Sequence, residues 1–98
     1  MIINNVEELI AHMKSIGIHF RDYPKADGIV KFDRIVNGKP AAQYVDTWIY
    51  WNNNNPEYIE LGADYDGNPE TWFSEQYLFP FNSSAFDEYL FDIETYRM

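Results

Sequence analysis

The sequence predicts a single α+β domain in which an antiparallel sheet of about four to five strands packs with an N-terminal amphipathic helix and a C-terminal helix. Three patterns support this fold class. Apolar residues recur at helical spacing over residues 6–16, Asn37-Gly38 is a strong hairpin signal, and residues 43–61 concentrate β-forming aromatic side chains around a polar break. We expect this last stretch to form the centre of the sheet.

The N-terminal helix is predicted by its cap as well as by its period. Asn5 can cap the first turn, and Glu8 three residues later completes a capping box that satisfies two backbone amides. Gly17 can end the helix in the left-handed conformation. The apolar face comprises Val6, Leu9, Ile10, Met13 and Ile16. The opposite face, which we expect to be solvated, carries Glu7, Glu8, His12 and Ser15.

A hairpin is predicted in the middle of the first half. Residues 18–23 suggest a short first strand and residues 29–36 a second one. Asn37-Gly38 suits a type I′ turn, which needs positive φ at both central residues, and it returns the chain as residues 39–51. Pro40 has no amide to donate, so we expect pairing to begin after it and the turn end of the hairpin to be frayed or bulged.

The returning strand is bulky on both faces. One face carries Val45, Thr47, Ile49 and Trp51, and the other carries Tyr44, Asp46, Trp48 and Tyr50. This pattern is typical of a central strand with one face under a helix and the other partly covered by aromatic rings. The aromatic residues that we expect in the core are Phe32, Trp48, Trp51 and Phe73.

The remaining elements follow from turn signals and periodicity. Strands are predicted over residues 58–61 and 76–79, with a turn over residues 62–69, which hold two breaker dipeptides. Residues 85–96 predict a helix capped by Ser83 or Ser84. Its apolar face comprises Phe86, Tyr89, Leu90, Ile93 and Arg97. A strand remains the alternative, because the same segment alternates almost as regularly as it spirals.

Length and composition limit the class of protein. A chain of 98 residues suffices for one two-layer domain, and 46% hydrophobic with 18% aromatic residues argues against intrinsic disorder. The chain has no cysteine, which excludes a disulfide framework and a thiolate metal site. No signal-peptide pattern and no apolar run of membrane-spanning length is present, so we expect a soluble, unexported, cytoplasmic protein.

The acidity of the chain is concentrated in its second half. The net charge is -9, and residues 1–39 hold six basic against five acidic residues, whereas residues 40–98 hold eleven acidic residues and one arginine. Such a field repels phosphate and anionic lipid and attracts basic protein surfaces. We therefore expect neither nucleic acid nor membrane as a partner. The competing interpretation is that the acidity serves solubility alone.

No motif in the sequence indicates a catalytic reaction. His12 and His19 are the only histidines, they fall on different predicted elements, and no serine or threonine lies in a recognisable nucleophile motif. Paired carboxylates are numerous, but a strongly acidic chain supplies such pairs by chance. We expect a protein that is not an enzyme and that needs no cofactor.

One segment has the spacing of a calcium-binding loop. Oxygen ligands stand at loop positions 1, 3, 5 and 12, namely Asp64, Asp66, Asn68 and Glu75. Position 6 is Pro69, where the loop requires glycine, and no flanking helices are predicted. The pattern therefore favours a plain turn, and we predict no metal site.

The best candidate for a functional surface is the region in which aromatic and acidic residues alternate. Protein interfaces draw much of their binding energy from large aromatic side chains ringed by polar groups. The predicted partner-binding residues are Glu57, Tyr58, Glu60, Asp64, Tyr65, Asp66, Glu70, Trp72 and Glu75. The carboxylates among them would steer a cationic partner and pair with it on contact.

In its general character the chain resembles the small acidic immunity proteins that bacteria pair with contact-dependent growth-inhibition toxins and related nuclease toxins. The resemblance covers size, acidity, the first helix, the hairpin and the aromatic and acidic loops, and it transfers no individual residue. It implies a protein that neutralises a cognate toxin with a basic active site by occluding it. The alternatives are a phage-encoded inhibitor of a bacterial defence system, such as a DNA mimic that acts against CRISPR or restriction enzymes, and a small non-catalytic scaffold domain.

Overall fold

The computed structural model describes residues 1–21, 28–42, 44, 46–52, 54–65, 70 and 72–95. These residues form two helices and eight strands. In chain order the elements are β1 (Ile2–Ile3), α1 (Val6–Ser15), β2 (Ile18–Phe20), β3 (Gly28–Val36), β4 (Lys39–Pro40), β5 (Asp46–Trp51), β6 (Tyr58–Asp64), β7 (Phe73–Leu78), β8 (Phe81–Asn82) and α2 (Ser83–Thr95). The predicted α+β class, with an N-terminal and a C-terminal helix, is confirmed.

The main sheet is antiparallel and has the strand order β2-β3-β5-β6-β7, with β4 also paired to β3. Strand β5 is in the middle of this order, so the central position predicted for the aromatic stretch is confirmed. β1 and β8 form a separate antiparallel pair. This pair ties the N-terminus to the start of α2, where the Ser83 amide donates to the Met1 carbonyl at 2.8 Å.

Both helices pack on one face of the main sheet, which we call the helix side; the other face is the open side. One hydrophobic core lies between the helices and the sheet, and its buried residues are Ile3, Leu9, Met13, Ile18, Val30, Phe32, Ile49, Trp51, Ile59, Leu61, Ala63, Phe86, Tyr89, Leu90 and Ile93. Along β5 every second residue is buried, as the alternation of Thr47, Ile49 and Trp51 predicts.

Helix α1 begins at Val6 with Asn5 as its cap, as predicted, and ends at Ser15, one residue before the predicted end, while Glu8 bonds Asn4 and not the backbone amide of Asn5. The side chain of Asn5 accepts a hydrogen bond from the Glu8 amide at 2.9 Å, and Gly17 follows the helix with φ of 87°. The carboxylate of Glu8 accepts a hydrogen bond from the Asn4 side-chain amide at 3.0 Å. His12 departs from the expected solvated face, because its side chain is only 10% exposed.

The β3–β4 hairpin turns at Asn37 and Gly38, whose φ angles of 54° and 79° agree with the predicted type I′ turn. The predicted fraying at Pro40 is wrong. Pro40 pairs with Ile35, and pairs on either side of it carry the ladder hydrogen bonds, since the Ala41 amide donates to the Arg34 carbonyl at 2.8 Å. Proline is tolerated here because an antiparallel ladder requires no amide from a residue in a non-hydrogen-bonded pair.

Two aromatic residues of the returning strand differ from their predicted placement. Tyr44 was expected on the face opposite to Thr47 and Ile49, but it lines a groove with Ile93 of α2, because the strand is interrupted between Pro40 and Asp46 and the alternation does not run through the break. Trp48 was expected in the core, but it is half-buried on the open side, where its indole covers β6. Residues 43 and 45 lie outside the described residues.

Strand β6 continues through residues 62–64, where the sequence predicts a turn. Gly62 is inside the strand because the indole of Trp48 occupies the space of a side chain: a Cβ atom there would lie 2.3 Å from Trp48 Cε2. The glycine thus marks a close packing contact instead of a chain reversal. The rest of the predicted turn, residues 66–69, lies outside the described part of the chain.

The other boundaries need smaller corrections. Strand β2 covers three residues of the predicted first strand, and β7 begins at Phe73, earlier than predicted. Residues 83–95 are helical, which excludes the strand alternative for this segment. The start of α2 is capped by Asn82, whose side chain accepts from the Ser84 amide at 3.1 Å, and not by the predicted serines.

Arg21 and Lys31, two of the basic residues of the N-terminal half, form ion pairs with acidic residues of the sheet. On the open side, Arg21 donates to Asp33 at 2.8 Å and to Asp46 at 2.7 Å, and Lys31 donates to Asp46 at 3.1 Å. Burial alone would raise the pKa of Asp46, but the hydrogen bonds from Arg21 and Lys31 outweigh it and hold the pKa below its ordinary value.

A bidentate pair joins the last turn of α2 to the sheet. Arg34 of β3 donates to both carboxylate oxygens of Glu94 at 2.6 Å. The hydrogen bonds to Glu94 raise the pKa of the Arg34 guanidinium, although burial opposes this. This fork geometry holds α2 in register with β3 and neutralises Glu94.

Substitution of Gly62 tests the packing of the tryptophan. We expect Gly62→Ala to lower the free energy of unfolding by about 1 to 3 kcal/mol, because the new methyl group collides with Trp48. In a Trp48→Ala background the same change should cost less than about 0.5 kcal/mol, since the space is then open and alanine suits a strand better than glycine. Urea unfolding of the four proteins gives the coupling. Additive effects would show that the two residues do not compete for this space.

The Asp46 ion pairs predict a pH-dependent contribution to stability. Because the folded-state pKa of Asp46 is below its ordinary value of 3.8, its contribution is present above pH 3.8 and is lost as the pH falls through the folded-state pKa. We expect Asp46→Asn to lower the unfolding free energy by about 1 kcal/mol at pH 7 and the difference from the parent to shrink below pH 3.8. Urea unfolding across pH checks this, with exposed Glu57→Gln as the control. A difference that stays constant in acid would contradict it.

Candidate functional site

The structure distributes the predicted partner-binding residues over both faces of the sheet. Tyr58, Glu60 and Asp64 alternate with the buried residues of β6, so they lie on the open side, where each is half-buried. The exposed members near strand ends are Glu57, Glu70 and Trp72. Tyr65 follows β6 and is half-buried, and Asp66 lies outside the described residues.

Glu75 is separated from the other predicted acidic residues. It pairs with buried Leu61 in the β6–β7 ladder, which places it on the helix side. Asp64 lies on the open side, so the sheet stands between these two members of the calcium-loop pattern, while residues 66 and 68 lie outside the described residues. Among the residues that the structure describes, no group of three or more acidic or histidine side chains has a metal-binding arrangement.

On the helix side, Glu75 borders a groove between β7 and α2, which we call the β7–α2 groove. The groove has a volume of about 270 Å³ and is lined by Tyr44, Phe73, Asp92 and Ile93. Glu75 and Tyr77 continue the same face of β7 beyond Phe73. The groove therefore has aromatic walls and one lining carboxylate, Asp92 of α2, and Glu75 follows Phe73 on the same face of β7.

The hydroxyl of Tyr77 holds the carboxylate of Glu75 in place. It donates a hydrogen bond to Glu75 Oε2, two residues away on the same face of the strand. Burial raises the pKa of Tyr77, and so do its bond to Glu75 and the negative charges of Glu88 and Asp92. Tyr77 thus remains a protonated donor, and three carboxylates from two elements act on one hydroxyl.

Glu88 and Asp92 were not among the predicted site residues. They lie one helical turn apart on the exposed face of α2, and no ion pair within the described part of the chain involves either of them or Glu75. The sequence carried a usable signal, because two acidic residues at i and i+4 are neighbours on a helix. The position of these two residues beside β7, however, follows only from the packing of α2 against the sheet.

Helix α2 is positioned over the groove by Tyr89. Its ring is buried and stacks on Phe73 with centroids 6.0 Å apart, and its hydroxyl donates to the Gly62 carbonyl at 2.7 Å. Burial is the main cause that raises the pKa of Tyr89. This residue fixes α2 against β6 and β7 together, so the acidic face of the helix stands beside the edge of the sheet.

The one histidine with a carboxylate partner has no nucleophile beside it among the described residues. His12 Nε2 lies 3.2 Å from Asp87 Oδ1, which links α1 to α2, and the His12 ring packs edge-on against Phe86. Ser15 is one turn away, but its hydroxyl donates to the backbone carbonyl of His12 at 2.6 Å. The hydroxyl is therefore not hydrogen-bonded to the imidazole, as a serine–histidine pair requires.

A second groove lies beside α1 and is mainly apolar. It has a volume of about 300 Å³ and is lined by Met1, Ile2, Ile3, Glu8, Ala11, His12 and Ser15. Each groove is lined by one carboxylate, Glu8 here and Asp92 in the β7–α2 groove, but only the β7–α2 groove has aromatic walls and a neighbouring tyrosine, Tyr77, on which further carboxylates act. We therefore take the β7–α2 groove as the candidate functional site.

None of the helices in the described residues has the length and apolar character of a transmembrane span. Comparison with protein-family models, with curated proteins and with solved structures gives no match. The surface of the protein is therefore the basis for inferring its function.

Proposed function

We propose that the protein is a non-catalytic immunity protein that acts in the cytoplasm, where it binds a cationic protein toxin and occludes its basic active site. The observation that carries the proposal is the cluster of Glu75, Glu88 and Asp92 beside one aromatic groove, with no described ion pair to neutralise it. A carboxylate cluster of this kind suits a partner that supplies lysine and arginine side chains.

The distribution of ion pairs supports a partner that binds the acidic C-terminal half of the chain. Arg21, Lys31 and Arg34 are engaged with acidic residues of their own chain. Residues 40–98 hold eleven acidic residues and one arginine, and these pairs with Arg21, Lys31 and Arg34 use two of the eleven, Asp46 and Glu94. The negative field of the remaining carboxylates accelerates encounter with a positively charged protein and repels nucleic acid.

Exposed aromatic residues on α2 and next to β7 support a protein partner over a small cation. Trp72 is 59% exposed just before β7, and Phe91 is 64% exposed on α2. Large exposed aromatic side chains near charged groups are typical of the energetic centres of protein interfaces. We propose that these residues bury against the toxin once charge has brought it into position.

Growth rescue tests the proposed function. The toxin candidate is the product of the gene adjacent to this one in the native genome, produced in a bacterial host in which it arrests growth. We expect co-production of this chain to restore growth and the two purified proteins to form a stable complex. An adjacent product that arrests growth despite co-production, or one with no effect on growth, would overturn the immunity function. Neutralisation of a restriction or CRISPR nuclease would instead support the phage-inhibitor alternative.

Removal of the charges of Glu75, Glu88 and Asp92 tests whether these residues form the partner-binding surface. We expect Glu75→Gln/Glu88→Gln/Asp92→Asn to slow association with the toxin by about tenfold or more at low salt, because the steering field of the groove is lost. The triple variant should also be less sensitive to salt than the parent. Stopped-flow association rates between low and moderate salt measure both effects.

The comparison variant removes the same number and type of charges from the open side and its border, as Glu57→Gln/Glu60→Gln/Asp64→Asn. It should slow association less, because only the overall charge changes. A larger effect of this variant would place the interface on the predicted residues of β6 instead of the groove. Circular dichroism and thermal unfolding confirm that both variants are folded.

A further inference from the structure

Strand β7 forms one edge of the main sheet. Within the described residues it pairs with β6 and with no other strand. An edge strand exposes a row of backbone donors and acceptors that can pair with another chain. The register of the β6–β7 ladder identifies which groups these are.

The outward backbone groups belong to every second residue of β7. The Phe79 amide donates to the Glu57 carbonyl at 2.9 Å, so this pair, which continues the β6–β7 register, is hydrogen-bonded. Hydrogen-bonded and non-hydrogen-bonded pairs alternate along an antiparallel ladder. The amides and carbonyls of Ser74, Gln76 and Leu78 therefore point away from β6.

This edge lacks most of the usual devices against strand pairing. Natural edge strands are protected by lysine, proline, bulges, very short length or charges that point inward, and of these the described β7 has the inward charge of Glu75. β7 has six residues, FSEQYL, with neither lysine nor proline, and its register with β6 is continuous. Pro80 comes only after the strand ends. Ser74, Gln76 and Leu78, whose backbone groups point away from β6, are all exposed, and Leu78 is 68% exposed.

The charges beside the edge define the kind of segment that it accepts. Glu75 lies on the helix side of β7, where Glu88 and Asp92 of α2 act on the neighbouring Tyr77. A strand added to β7 would place alternate side chains on the helix side, beside these carboxylates. Its remaining side chains would lie on the open side, next to Leu78.

We propose that the edge of β7 accepts an extended segment of the partner as an added strand, with lysine or arginine at alternate positions facing the β7–α2 groove. The backbone hydrogen bonds give this pairing its affinity, and the carboxylates select a basic segment. The assignment of this segment to a toxin rests on the proposed function. A second copy of this chain fits the edge poorly, because each copy carries a net charge of -9 and brings the same carboxylates to the contact.

A proline substitution isolates the edge without disturbing the sheet. Gln76→Pro removes one outward amide, and the β6 ladder does not use that amide because Gln76 and Glu60 are a non-hydrogen-bonded pair. Gln76→Ala is the matched control, since it removes the side chain and keeps the amide. Thermal unfolding and amide spectra show whether both variants retain the parent fold.

The probe is a synthetic nonapeptide in which lysine alternates with threonine and valine, and its control has glutamate in place of lysine. We expect the lysine peptide to slow hydrogen exchange at the amides of Gln76 and Leu78 at least tenfold in the labelled protein. Gln76→Pro should weaken peptide binding at least tenfold, and Gln76→Ala less than about threefold. The glutamate peptide should not bind.

Three outcomes with the purified protein would overturn the proposal of an added strand. The first is peptide binding that leaves hydrogen exchange at the β7 amides unchanged, and the second is equal affinity of the lysine peptide for Gln76→Pro and for the parent. The third is a dimer of the free protein that Gln76→Pro dissociates, because this would assign the edge to self-association. Rescue of growth by Gln76→Pro as fully as by the parent would overturn this inference and leave the immunity function standing. Peptide binding at the edge without growth rescue would support the added strand and contradict the immunity function.

Discussion

The placement of Tyr89 is the interaction on which the rest of the candidate site depends. Its hydroxyl bonds the Gly62 carbonyl in β6 while its ring stacks on Phe73 in β7, so one buried side chain holds α2 against two adjacent strands. Gly62 is constrained from the other face as well, because Trp48 occupies the space beside its Cα atom. These contacts with β6 and β7 fix the position of α2, and the position of α2 in turn places the acidic face of the helix beside β7.

The two ends of α2 meet different electrostatic surroundings. Glu94 in the last turn is neutralised by a bidentate bond from Arg34, whereas Glu88 and Asp92 extend along the exposed face toward β7. The described ion pairs of Arg21, Lys31 and Arg34 therefore lie away from β7, and none of them involves Glu88 or Asp92.

Local signals account for what the sequence predicted well. The Asn5 cap, the Asn37-Gly38 turn and the alternation of Thr47, Ile49 and Trp51 each act within a few residues, and each has the predicted structure. The errors arise where two segments distant in sequence meet. Trp48 is half-buried and not in the core, because Gly62 makes room for its ring on the open side, and no pattern within β5 reports a glycine on the neighbouring strand.

The candidate site shows the same division between local and long-range information. Glu75 was predicted as a contact residue from its acidic surroundings, but its placement on the helix side, apart from Glu60 and Asp64, required the register of β6 and β7. Glu88 and Asp92 join it only through the packing of α2. Functional surfaces assembled from separate elements are therefore visible in composition before they can be assigned to residues.

Helix α2 breaks local rules for helix stability along the face that borders the groove. Like charges at i and i+4, such as Glu88 and Asp92, destabilise a helix by about 0.2 to 0.5 kcal/mol, and the last turn carries no basic residue to complement the macrodipole. A lysine at position 92 would relieve both defects without disturbing the core, since this position is exposed. Sequences break local rules at functional sites when another requirement outweighs stability. We propose that this requirement is the recognition of a basic chain by carboxylates that stand beside the edge strand β7.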